Sequence, residues 1–199
     1  MANITQFGTD VKLKSLGNAL RHFELHSKTI STVTALDSFK SSDLEVLDGY
    51  AFANMNLANI PSNLSTWDVS NVTSFKNLLS NRTDWNINLS SFKTTHLNNA
   101  SGLFTGLSVI PFNIDGWNFS NVLIGDQLFK GLNLSNVDLS KQLFTQMITA
   151  DYMYQNCTNI INFHLQSVNN TSSITTAIGM FKGVVLTGKT ISNTFTELV

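Results

Sequence analysis

The sequence predicts a single right-handed solenoid of mixed short strands and short helices, built from coils of about 25 residues. Three observations predict it. The stretch Asn63–Leu79, NLSTWDVSNVTSFKNLL, returns 25 residues later as Asn88–Phe104, then as Asn113–Phe129 and as Asp138–Tyr154. Positions in these copies keep their chemistry when read as columns, which is how stacked side chains read in sequence. Between the copies, runs such as Trp85-Asn86-Ile87-Asn88-Leu89 alternate apolar and polar, the period-two signature of a half-buried strand.

In chain order, residues 1–35 read as an N-terminal cap or a degenerate first repeat. Leu16, Leu20 and Phe23 have helical spacing, against which Gly17 argues. The repeats span 36–185. Their first copy is degenerate, with Phe39 standing where Trp67 stands and Tyr50-Ala51-Phe52 near the place of Leu78-Leu79.

Residues 63–154 are the regular part. The apolar columns are Leu64/Leu89/Ile114/Leu139, Val72/Leu97/Val122/Met147, Leu78/Leu103/Leu128/Met153 and Leu79/Phe104/Phe129/Tyr154. An aromatic column, Trp67/Phe92/Trp117, reaches Gln142, where Leu143 is expected to substitute. Two polar columns, Ser70/Thr95/Ser120/Thr145 and Asn71/His96/Asn121/Gln146, are expected to satisfy backbone groups at each bend. The segments 96–105, 121–130 and 146–155 read as short helical or 3₁₀ turns closed by Gly106, Gly131 and Asn156. Met180-Phe181 restores the apolar pair after a loop insertion at Asn169–Ser173, and 186–199 form a C-terminal cap. All 199 residues thus read as one domain.

Composition narrows the function. Charged residues are 13% and net charge is −1, with no basic stripe, so nucleic acid is not an expected partner. The polar character comes from neutral side chains, with 24 Asn. One cysteine, Cys157, excludes an internal disulfide. No run reaches 18 apolar residues, and the first residues show no apolar leader. The expected setting is therefore the cytoplasm or a virus particle rather than classical secretion.

The units WDVSNVTSFKNLL and WNFSNVLIGDQLF resemble the BspA-like leucine-rich repeats, including the mycoplasma lipoprotein-associated repeat domain. Leu64, Ser65, Trp67, Asp68, Ser70, Asn71 and Val72 carry the resemblance, as do Trp117, Ser120, Asn121, Val122, Leu128 and Phe129. It covers roughly residues 36–185. It implies an α/β, leucine-rich-repeat-like array with a parallel sheet along one side, and adhesion or protein-binding roles rather than catalysis. Members are commonly exported or lipid-anchored, and this chain shows neither signal.

Few residues point to chemistry. His22 and His26 stand at i, i+4, but zinc needs at least one further ligand. His96 and His164 are isolated, and Cys157 has no base beside it. No metal, cofactor or catalytic site is expected. The outward strand positions Asn88, Asn113, Asp138 and Asn162 form a polar row, the candidate binding residues, with Trp85 nearby as either a stacking platform or an inward core residue. The expected function is a non-enzymatic structural, protein-binding scaffold within a larger assembly such as a virion. The alternative is a surface adhesin or carbohydrate-binding module, with a glycan as partner.

Overall fold

A computed structural model of the chain describes residues 14–15, 41–49, 60, 63–160 and 174–184. The expectations for His22, His26, Phe39, Tyr50-Ala51-Phe52, Asn162, His164, the 169–173 insertion and the 186–199 cap lie outside them, as does the 1–35 cap except for Lys14 and Ser15.

The repeat is real, and the α/β architecture with a parallel sheet is not. Among the described residues there is no α-helix and no sheet. Regular structure is limited to three 3₁₀ turns, Ser41–Asp43, Leu64–Thr66 and Leu139–Lys141. Coils meet instead through isolated parallel bridges: one series runs through Ser15, Val46, Ser74, Asn99, Ile124, Thr149 and Thr176, and a further bridge joins Asn133 to Thr158.

The backbone hydrogen bonds explain the difference. In the second regular coil the N–H groups of Ala100, Gly102 and Phe104 donate sideways, to Ile124, Asp126 and Leu128 of the next coil. The N–H groups between them, on Leu103, Thr105 and Leu107, donate back three residues within their own coil. The same alternation recurs at 75–82, 125–132 and 150–157. A helix would need every N–H to point along the chain. A parallel ladder would need paired extended strands. Splitting the donors one by one satisfies the backbone while forming neither.

Such a chain must turn sharply and repeatedly, and it does so with left-handed residues. Asn77, Gly102, Gln127, Tyr152 and Gly179 share one column, with φ between 56° and 63°. Asn81, Gly106, Gly131, Asn156 and Gly183 share another, with φ from 57° to 79°. Gly and Asn fit this region; other residues face a cost of roughly 1–2 kcal/mol. Gly106, Gly131 and Asn156, expected as helix ends, thus occupy the left-handed positions while closing turns rather than helices. Within the first column Gly is required by a neighbour as well. A Cβ on Gly102 would overlap Asn77 Oδ1, and one on Gly179 would sit 2.7 Å from the Tyr152 ring.

The expected strands at 85–89, 112–115 and 137–139 keep the in-out alternation of burial but make no ladder. Trp85 and Leu89 are buried while Asn86 and Asn88 are exposed; Phe112 and Ile114 are buried while Asn113 and Asp115 are exposed. Side chains bind the carbonyls on this side of the stack. Trp117 Nε1 donates to Leu89 O (3.0 Å) and Asn136 Nδ2 to Ile110 O (2.8 Å).

The core is the set of columns. Val72, Leu97, Val122 and Met147 are each at most 1% exposed. Phe104, Phe129, Tyr154 and Phe181 stack ring on ring at 5.9, 5.5 and 5.5 Å. Contacts of this kind contribute about 0.5–1.5 kcal/mol each beyond burial. At the end of the Trp67/Phe92/Trp117 column, Leu143 does not substitute: it is 45% exposed, and Gln142 is 1% exposed in its stead. Gln142 Nε2 donates to Ile114 O (3.3 Å), one coil on from the Leu89 carbonyl that takes the Trp117 indole. The amide thus copies the indole's bond, but its Oε1 is buried without a partner.

Two predictions follow from these positions. Gly131→Ala adds a side chain where nothing lies within 4 Å, so it should cost only the left-handed strain, ~1–2 kcal/mol. Gly102→Ala should cost a further ~1–3 kcal/mol from overlap, and Asn77→Gly should recover that excess; urea melts of the two single variants and the double variant decide it. Gln142→Met removes the orphaned oxygen, while Ile114 O keeps its bond from the Trp117 N–H. It should raise stability by ~1 kcal/mol in the same assay.

Candidate functional site

The polar face of the stack is built from asparagine turns. Asn88 Oδ1 accepts the Ser90 N–H at 2.9 Å, Asn113 Oδ1 that of Asp115 at 2.6 Å, and Asp138 Oδ1 that of Ser140 at 3.1 Å. Each is a side chain standing in for the backbone of a turn. The three row residues are therefore equivalent and turn-forming. Asn88 and Asn113 are exposed and Asp138 is half-buried. They stand in a row without being in strands, and their oxygens face inward to the chain. Lys141 reaches across one coil to Asp115 at 2.5 Å, and Asp138 reinforces the raised pKa that this partner gives the lysine.

A second set of turns lies one bend further on. Asp68 Oδ1 accepts the Ser70 N–H at 3.0 Å, and Asn118 Oδ1 that of Ser120 at 2.8 Å. Hydrogen bonds from Ser70 hold the Asp68 carboxyl below its ordinary pKa, and Lys93 one coil away adds to this. Ser65–Ser70, Ser91 and Lys93 line an open groove of about 330 Å³ here. Lys14, Ser42, Asp43, Glu45 and Asn71 line another, of about 420 Å³, in which Lys14 and Glu45 pair at 2.7 Å.

The polar columns work as a ladder between coils. Asn71 Nδ2 donates to Ser42 O (2.9 Å) and Asn121 Nδ2 to Thr95 O (2.7 Å). His96 Nδ1 meets Ser70 O at 2.6 Å. In the coil after Asn121 the bond passes to the neighbouring column, where the Thr145 hydroxyl donates to Ser120 O (2.9 Å). The imidazole thus holds a place that amides hold elsewhere, which fits a rung rather than a reactive base.

Trp85 is 5% exposed, its indole N–H bonded to Ile87 O (2.9 Å) and its ring 5.6 Å from the Arg82 guanidinium. It is a core residue and offers no stacking platform. Arg82 is itself 6% exposed, and its head forks onto Asp84 at 3.0 and 3.2 Å. The period places Arg82 in the column Leu107, Leu132, Cys157, so its stem fills an apolar site while its head is held by Asp84. Sequence reading missed this residue; the column alignment was the available signal.

Cys157 is fully buried and its Sγ donates to Phe129 O at 2.9 Å. Burial pushes its thiol up to about 11. A thiolate is thereby disfavoured, the opposite of a catalytic cysteine. No group of three or more His, Cys, Asp or Glu side chains is placed to hold a metal among the described residues, nor is any helix there long and apolar enough to cross a membrane.

A thiol whose folded pKa exceeds its unfolded value stabilises the fold below the unfolded value and loses that contribution as pH rises through the folded one. Stability should therefore begin to fall near pH ~9, and Cys157→Val should remove the part of that fall below pH ~10, above which buried Tyr154, its pKa also raised by burial, adds its own. At pH 8 a thiol reagent should react only with unfolded protein; rapid labelling of the native chain would contradict the buried placement.

The chain matches no curated protein and no solved structure. Residues 47–167 match the model of a family described as Mycoplasma protein of unknown function, DUF285, and the chain belongs to that family.

Proposed function

We propose that the chain is a non-enzymatic repeat scaffold of the BspA-like leucine-rich-repeat type that binds other proteins as part of a larger assembly. One observation carries this reading. The side chains that the period conserves are consumed within the stack, as core columns, carbonyl ladders and turn-forming Asn or Asp. The side chains that vary between coils, such as Lys93 and Leu143 in the column they share with turn-forming Asp68 and Asn118, point outward and give each level of the surface its own chemistry. Stacked repeats of this kind offer a long, preformed surface on which binding costs little ordering.

A virus particle and a cell surface are the two settings such a scaffold suits. Cross-linking of the protein in its native source, followed by mass spectrometry, separates them. Links to particle proteins place it in a virion. Links to envelope proteins, with cleavage by protease added to whole cells, place it on the surface. A chain that cross-links to nothing would overturn the scaffold reading. In the carbohydrate-binding alternative, Asn88 and Asn113 would contact the glycan through their Nδ2 groups, since their oxygens are held by turns. Binding on a glycan array that is lost in Asn88→Ala would favour that alternative.

A further inference from the structure

The left-handed column that starts at Asn77 contains two residues that turn geometry alone would not choose. Gln127 and Tyr152 have φ of 58° and 57° where the other coils place Asn or Gly. A bulky residue in this region is strained, and strain of this kind concentrates where a side chain has a task. The side chains converge. Lys130 Nζ donates to Gln127 Oε1 (3.3 Å) and stands 5.9 Å from the centre of the Tyr152 ring. The ring lies against Gly179, next to Lys182 in the following coil.

Lys14, Arg82 and Lys141 are each matched to a carboxylate. Lys130 and Lys182, like Lys76 and Lys93, make no ion pair among the described residues, although Asp126 and Asp151 lie in the column adjoining Gln127 and Tyr152. Those two carboxylates are turned to the backbone instead, accepting the Asp151 N–H at 2.9 Å and the Ile178 N–H at 2.7 Å. Lys130, Gln155 and Lys182 occupy successive levels of the stack, with hydrogen-bonded levels about 4.8 Å apart, so the two ammonium-bearing positions are set ~10 Å apart beside an aromatic edge. Ile178, 60% exposed, adds an apolar contact at the rim.

We propose that Gln127, Lys130, Tyr152 and Lys182 form a docking surface for an acidic, extended segment of a partner protein. It rests on the protein-binding reading above and assigns it a location. Two carboxylates of an extended segment, two or three residues apart, span the distance between the lysines. Tyrosine is among the residues that dominate binding energy at interfaces, and the two lysines supply the charge complementarity that gives specificity and on-rate.

The test uses the full chain and a fluorescein-labelled hexaglutamate peptide, with hexaglutamine as control, followed by fluorescence anisotropy. Tyr152→Asn keeps the left-handed turn, as Asn77 does in the same column, and Lys130→Gln leaves the backbone untouched. The expected result is salt-sensitive binding of hexaglutamate only, weakened at least tenfold by either variant, with melting temperature unchanged or higher. Wild-type affinity retained in both variants, or no hexaglutamate binding up to millimolar concentration, would overturn the surface while leaving the scaffold reading to the cross-linking experiment. A fall in melting temperature in Tyr152→Asn together with undiminished binding would show that the tyrosine is there for packing.

Discussion

Everything in this structure depends on how the backbone divides its donors. Alternate N–H groups bind the next coil and the ones between bind their own turn. Each coil therefore needs its neighbour before its backbone is satisfied, and no coil is stable by itself. The division also forces two left-handed residues into each coil, which fixes where Gly and Asn must stand. Stack height, turn chemistry and repeat length are thus one constraint expressed three ways.

Side chains complete what the backbone leaves open. The carbonyls of Ser42, Ser70, Thr95 and Ser120 receive Asn71, His96, Asn121 and Thr145 from the following coil. Neutral amides and hydroxyls suit this role because they can stack at coil spacing, where like charges would repel. The turns have the same preference. Asn88, Asn99, Asn118 and Asn133 each accept the N–H of a serine two residues on. That turn chemistry writes Asn-X-Ser into the sequence repeatedly, so the abundant triplets of that form have a structural cause.

Much of this was legible in the sequence, and the exceptions share an origin. The columns, the ladder and the buried state of Cys157 follow from period and chemistry alone. The secondary structure did not, because period-two burial around Trp85 and Phe112 looks the same whether carbonyls are bound by a strand or by Trp117 and Asn136 side chains. Turns with left-handed residues every four or five positions likewise give the Gly and Asn spacing of helix ends. Gln142 shows a third limit: hydropathy would turn it out and Leu143 in, yet the carbonyl of Ile114 decides the orientation.

Residues that obey the period report on the stack, and residues that break it report on something else. Arg82 breaks a leucine column and resolves the conflict locally, by burying its stem and pairing its head with Asp84. Gln142 breaks an aromatic column and resolves it in part, through one amide bond. Gln127 and Tyr152 break a glycine and asparagine column at the cost of backbone strain, and both meet Lys130, which donates to Gln127 Oε1 and stands over the Tyr152 ring. Where a departure is strained, surface-facing and grouped with lysines that make no ion pair, the docking surface proposed above would supply its compensation from outside the chain. A scaffold this regular can place such a site wherever its period permits a larger side chain, and the turn columns are where permission is scarcest.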